Sequence, residues 1–246
     1  MSKVKIKIIT IGHLPLNFYP EKISKLNSSI FEIDGHIENY ALRCDSDGYN
    51  WEFSDDLVKQ QLPKESNADY MIAITNVPIE GNWYTRRLGN NQVVFTFHEI
   101  KEILQEQNIP LENAVFRLLY AYTLVFLRSN NRIPNYGEVE NFTHDETRGC
   151  LFDMNGIKTD LVASCHKPII CEDCCERLRR NKVSQSTIDS TKNEIKKIRK
   201  DLYYRIFEAV KNHPILTLLL SSTFALIIGV ASSVIGSYLF NYMESK

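Results

Sequence analysis

The sequence predicts an α+β domain built round one buried helix, followed by a single C-terminal transmembrane helix. Three observations lead there. Short apolar runs rich in β-branched residues, at 4–11, 68–75 and 92–97, alternate with helical patterns. The pattern at 112–128 is apolar almost all round, which suits a helix enclosed by its own domain. Residues 215–240 contain no charge, and such a run exceeds the roughly 20 residues needed to cross a hydrocarbon core.

Taken in chain order, 4–11 reads as a buried strand, 20–27 as a helix, and 29–37 with 40–43 as further short strands. Ser54 reads as the N-cap of a helix at 54–62, ahead of Asp55 and Asp56. The runs 68–75 (ADYMIAIT) and 92–97 (QVVFTF) are strands separated by a polar, glycine-containing turn region at 81–91. A helix at 98–107 follows. Pro110-Leu111-Glu112 then opens the longer helix at 112–128, interrupted by Arg117 and too short to span a bilayer. No internal repeat appears, and the Ser/Thr-rich stretch 184–192 reads as a hinge.

Fourteen Leu, Ile, Val and Phe side chains in 215–240 favour insertion by about 4 to 8 kcal/mol, partly offset by Ser, Thr and Gly. Few residues follow a span at 214–241, so the expectation is a tail anchor. Lys192, Lys196, Lys197, Arg199, Lys200, Arg205 and Lys211 precede the span and Lys246 follows it, which by the positive-inside rule keeps the N-terminal domain in the cytosol. Between domain and span, Ile195, Ile198, Leu202, Ile206 and Val210 recur every three or four residues with basic residues between them, predicting an amphipathic basic stalk helix over 184–213. Ile188, Ile195 and Leu202 share heptad spacing, the signature of a short coiled coil, but Thr191 and Arg205 weaken the other seam position. In the span, Ala225, Gly229 and Ser233 form a small-residue face on which two copies of the helix can pack, so a homo-oligomer is a further expectation.

The formal net charge is −1, and no global basic excess points to nucleic acid. The N-terminus alternates lysines with apolar residues and lacks the uninterrupted apolar core of a cleaved signal peptide. Sequons at Asn27-Ser28-Ser29 and Asn141-Phe142-Thr143 matter only in a glycosylating lumen. His13, His36 and His213 are isolated and carry no assigned chemistry. His98-Glu99 has Glu102 where a second zinc histidine would stand and reads as a strand-to-helix junction.

Six cysteines, most of them between Cys150 and Cys175, fit reduced metal-binding thiols better than a disulfide framework. A tetrahedral zinc takes four N or S donors, and the Cys171-Glu172-Asp173-Cys174 turn supplies two with little chain ordering. Cys150 is a third. His144 is the expected fourth, with Asp145, Cys165 and Cys175 as alternatives. A closed site of three cysteines and one histidine is structural: it leaves no coordination position for water. Nearby Arg148, Asp153, Lys158 and Asp160 are solvated loop charges or the lining of a binding surface.

From Ala68 onward the chain resembles the archaemetzincin family of zinc proteases, in the metzincin clan. Two apolar strands, the first ending Ile74-Thr75-Asn76-Val77-Pro78-Ile79, precede a core helix and a Cys-rich tail. The family follows its catalytic motif with a Cys, four residues, a second Cys, a Met and then a Cys-x-x-Cys. Here Asp145 stands at the first Cys, Cys150 at the second, Met154 follows, and Cys171-x-x-Cys174 runs into Glu176-Arg177-Leu178. The resemblance implies a metzincin-like mixed sheet over 1–180 closed by a zinc knuckle at 144–178. It departs from the family at the catalytic motif. Counting back from His144, the positions of His-Glu-x-x-His are held by Pro134, Asn135, Glu138 and Asn141; matched instead on the core helix, the segment is Leu118-Leu119-Tyr120-Ala121-Tyr122. Neither offers two histidines on one helical face with a glutamate base.

The resemblance therefore implies a pseudo-metalloprotease: a membrane-bound module that binds or senses a protein or peptide partner and is stabilised by a structural zinc. Two rival expectations stand beside it. One is a divergent metallopeptidase using a non-standard set such as His144, Asp145, Glu146 and a cysteine. The other is an effector that perturbs the bilayer through its oligomerised membrane helix.

Overall fold

The computed structural model describes residues 2–63, 66–138, 147–153 and 157–244, which divide into two compact units, Met1–Lys200 and Asp201–Lys246. In the first, strands β1 (Val4–Ile11), β2 (Phe31–Ile33), β3 (Glu38–Tyr40), β4 (Tyr70–Thr75), β5 (Thr85–Gly89) and β6 (Gln92–Thr96) form one mixed sheet. Its order is β2-β1-β4-β6-β5, with β3 also beside β1. All pairings are parallel except β5 with β6. The two-residue period of a strand divides β1 between two cores: Val4, Ile6 and Ile8 join one, Ile9 and Ile11 the other. Every residue of the central strand β4 is buried, so its continuous apolar run is a strand covered on both faces.

The larger core holds α1 (Pro20–Ser24), α3 (Ile100–Glu106), α4 (Glu112–Arg128), α5 (Leu161–Cys165), α6 (Glu172–Arg180) and α7 (Gln185–Ile195); α2 (Asp55–Gln60) covers the opposite face. Helix α4 has the bounds its pattern predicts. Its Leu118, Leu119, Tyr120, Ala121 and Tyr122 are all buried, and at its start the buried Glu112 carboxylate accepts from the Tyr19 backbone N–H at 2.8 Å. Ser54 caps α2, accepting from the Leu57 N–H at 3.2 Å.

The region at 81–91, expected as a turn, contains β5. Its alternation places Arg86 and Leu88 inward, and an inward arginine hides the strand from a hydropathy reading. Arg86 is tolerated there because Asp55 accepts from its Nε at 2.9 Å and Glu80 from its Nη2 at 3.2 Å.

The single stalk helix expected over 184–213 is two helices, α7 and α8 (Leu202–Asn212), and α7 belongs to the domain. Ile188, Ile195 and Ile198 are buried in the main core. The Glu194 carboxylate accepts from Ser28 Oγ at 2.7 Å, the Ser29 N–H at 2.8 Å and Tyr120 Oη at 2.9 Å. The segment after α7 is tied back as well: the Lys167 N–H donates to the Ile198 carbonyl at 2.8 Å and the Lys200 N–H to His166 Nδ1 at 3.1 Å. One three-to-four periodicity thus spans two helices, of which α7 alone packs its apolar residues into the main core.

Glu194 makes a testable clasp. Burial pushes its carboxyl up, but the hydrogen bonds from Ser28, Ser29 and Tyr120 outweigh it and the group ionises below the ordinary glutamate range. A lowered folded-state pKa contributes stability above the unfolded-state value and loses it as pH falls through the folded-state one. Glu194→Gln is expected to cost about 2 kcal/mol at neutral pH, roughly 4–8 °C in melting temperature. Thermal melts of both proteins down the acid limb check it: the gap should close on acidification, and a gap independent of pH would dismiss the clasp.

In the second unit α8 is followed by α9 (Pro214–Glu244), a helix of 31 residues and so about 46 Å long. Its large apolar side chains are exposed along its length. Among the described residues it is the one helix long and apolar enough to cross a membrane.

Candidate metal centre

Cys150, Cys171 and Cys174 come together. Their Sγ atoms all lie within 4.8 Å of one another, and those of Cys150 and Cys174 are 3.8 Å apart. Four sulfurs at 2.3 Å round a tetrahedral ion are separated by about 3.8 Å, so this spacing is that of a zinc–thiolate edge. Cys150 and Cys174 are buried and Cys171 is half-buried.

Two local devices bring the cysteines into register. Before the first, Gly149 takes φ +84°, and a Cβ there would stand 3.2 Å from the Ala163 carbonyl oxygen, so glycine alone suits the position. Residues 149–151 then pair with Ile169: the Ile169 N–H donates to the Gly149 carbonyl and the Leu151 N–H to the Ile169 carbonyl, both at 2.9 Å. This one-residue parallel bridge sets the chain just ahead of Cys171 alongside Cys150. Cys171 is the N-cap of α6, and Cys174 lies one turn on, so both sulfurs face the same point. Glu172 and Asp173 in the first turn of α6 and Arg177, Arg179 and Arg180 in its last suit the helix dipole.

Helix α4 supplies the floor. Arg117, fully buried, donates from Nη2 to the Leu151 carbonyl at 3.0 Å and to the Asp153 carbonyl at 3.2 Å. One turn earlier, Asn113 Nδ2 donates to the Cys165 carbonyl at 2.9 Å. These two polar residues at i and i+4 hold the Cys-rich segment against the central helix. Sequence reading saw Arg117 as an interruption and gave Asn113 no role; their shared helical face was the available signal.

The Cys174 thiol is pushed up first by its contact with Cys150 and then by burial, and Cys171 is pushed up by burial. Three thiolates at this separation repel one another, and a divalent ion between them reverses that cost. The donor set fits zinc: soft, convergent and held by structure on both sides.

Of the alternative donors, Cys165 and Cys175 are not in this group. Cys165 is buried beside Arg117, its thiol pushed up to about 12 by burial. Cys175 turns toward the Ile170 carbonyl, 3.7 Å from its Sγ. His144, Asp145, Glu146 and Met154 lie outside the described residues. The charged loop residues do not converge on one site. Arg148 pairs with Asp160, while Lys158 donates to Glu99 at 2.8 Å and to Asn82 at 2.6 Å. Asp153 is buried against α4. His98 and Glu99 occupy the junction between β6 and α3, with Glu99 at φ +62°.

Beside the cluster, Pro168, Ile169, Ile170, Asp189, Lys192 and Lys196 line a groove of about 410 Å³. Its floor is apolar and its walls carry both signs of charge.

No family model and no curated protein matches the chain. Among solved structures, the crystal structure of archaemetzincin from Methanopyrus kandleri is similar at 14% sequence identity and a TM-score of 0.44, covering 74% of this chain and 97% of that one.

Proposed function

We propose that the chain is a single-pass membrane protein whose cytosolic, metzincin-like domain binds a protein or peptide partner without cleaving it, and that Cys150, Cys171 and Cys174, with His144, hold a structural zinc. The convergence of three sulfurs within 4.8 Å of one another, one pair of them at the 3.8 Å of a tetrahedral edge, carries this reading. The ion would cross-link the loop at 147–153 to α6 and supply stability rather than a nucleophile. The motif resemblance supplies the metzincin expectation. The apolar core filling Leu118–Tyr122 of α4 supports loss of catalysis, because a zinc-binding helix would turn polar donors toward a cleft there. The basic residues ahead of α9 support a cytosolic domain, and anchoring raises its effective concentration near a membrane partner. The groove beside the cluster suits an apolar side chain flanked by a charge.

Metal analysis with chelation tests the proposal. One zinc per chain is expected, released by a strong chelator only together with loss of the cooperative melt, and the zinc-loaded protein should leave peptide substrates intact. Zinc that exchanges rapidly while the fold persists, or peptide cleavage that tracks zinc content, would favour the metallopeptidase instead.

A further inference from the structure

Helix α8 lies between the domain and α9 as a short helix with an unpartnered apolar face. Leu202, Tyr203, Ile206, Phe207 and Val210 are between 42% and 71% exposed. At 3.6 residues per turn these five, with Ala209, occupy a continuous arc of about 160°. Tyr204, Arg205, Glu208, Lys211 and Asn212 fill the opposite arc. A coiled-coil seam is narrower than this, and an upright stalk would leave the whole face in water.

The joint to α9 shows where the face can go. His213 leaves the helical region at φ −132°, ψ 59°, and Pro214 brings no amide to the Val210 carbonyl, so the hydrogen-bond ladder is cut there. A helix about 16 Å long that ends one residue before a membrane span cannot leave the bilayer surface by more than its own length. Its composition is that of an interfacial helix, with aromatic and branched residues on one side and a polar side that carries Arg205 and Lys211 together with Glu208 on the other. Lys196, Lys197, Arg199 and Lys200 directly precede it in the chain.

We infer that α8 lies in the membrane interface, its Leu202–Ile206–Val210 face among the lipid acyl chains and its polar side against anionic headgroups. This rests on the reading of α9 as a membrane helix and adds to it: the chain meets the bilayer through two helices, one across it and one along it.

The full chain, reconstituted in phosphatidylcholine–phosphatidylserine vesicles containing brominated lipid, tests this with three variants compared against the parent, whose Trp51 and Trp83 give the background. Tryptophan is placed at the centre of the apolar arc (Ile206→Trp), opposite it (Glu208→Trp), and in α9 (Ile227→Trp). The added fluorescence at 206 and 227 should be quenched, with quenching at 206 about threefold that at 208. Quenching at 227 but equal or absent quenching at 206 and 208 overturns the interfacial placement and leaves the membrane helix standing. No quenching at 227 overturns both. A 206 signal that is unquenched but blue-shifted in proportion to protein concentration identifies a second copy as the occupant and overturns the lipid assignment.

Discussion

Cys174→Ser is expected to strip the metal from the chain and to lower its melting temperature by roughly 10 °C or more, through a loss of about 4 kcal/mol or more. Domains of this size are stable by only about 5–15 kcal/mol in total, while a structural zinc contributes on the order of 10 kcal/mol. The segment concerned has few other means of closure. Between Cys150 and α6 the backbone pairing is one residue long, at Ile169, and α5 and α6 are short helices that do not persist by propensity alone. Serine nearly keeps the shape and removes the soft donor, and since a smaller, more polar side chain in the core costs stability by itself, the loss of zinc is the decisive readout.

Cys175→Ala is the control. Cys175 is the next residue and is as deeply buried, yet its sulfur points to the Ile170 carbonyl. It should cost about 1 kcal/mol and keep the full zinc content. Zinc stoichiometry and melting temperature of the two variants decide the matter. If the parent holds no zinc and both substitutions cost the same, the cysteines are buried thiols and the structural-zinc reading ends.

How far the sequence reached depended on whether a signal was local. The bounds of α4 were legible because Pro110 opens it and a helix buried on all sides needs apolar residues at every position. The Cys-x-x-Cys turn was legible because both donors lie within one turn of the chain. Strand β5 was not, since its inward Arg86 is neutralised by Asp55, 31 positions away. The break between α7 and α8 was not, because residues 196–201 contain neither glycine nor proline. Past the end of α7 the chain is tied back to Lys167 and His166 through Ile198 and Lys200. Cys150, Cys171 and Cys174 were legible from spacing, but that Cys165 and Cys175 stay out of the group was not, because Cys165 is buried beside Arg117 and Cys175 turns to the Ile170 carbonyl, contacts that composition and spacing do not contain.

Arg117→Met is expected to destabilise the domain by about 3 kcal/mol and, beyond that, to loosen the metal. Methionine fills much the same space but leaves the buried Leu151 and Asp153 carbonyls without the donor that now serves both. Those carbonyls belong to the first and third residues after Cys150, so their release should let the Cys150 sulfur move relative to α6. Arg117→Lys should recover part of the loss, since one nitrogen, Nη2, now serves both carbonyls and an ammonium has donors enough for both, though on a shorter and more flexible stem. The informative comparison is with a core variant of similar cost remote from the Cys-rich segment. Leu104→Ala qualifies: Leu104 is fully buried in α3, and such truncations cost about 2–5 kcal/mol. Both variants should melt at similar temperatures, but zinc transfer to a chromogenic chelator under native conditions should be about tenfold faster for Arg117→Met, the factor produced by about 1.4 kcal/mol of lost site stabilisation. Equal transfer rates in the two variants would make Arg117 an ordinary core residue. A faster rate for Arg117→Met would mean that the central helix, with no metal ligand of its own among the described residues, still governs the metal from behind through a guanidinium and two carbonyls.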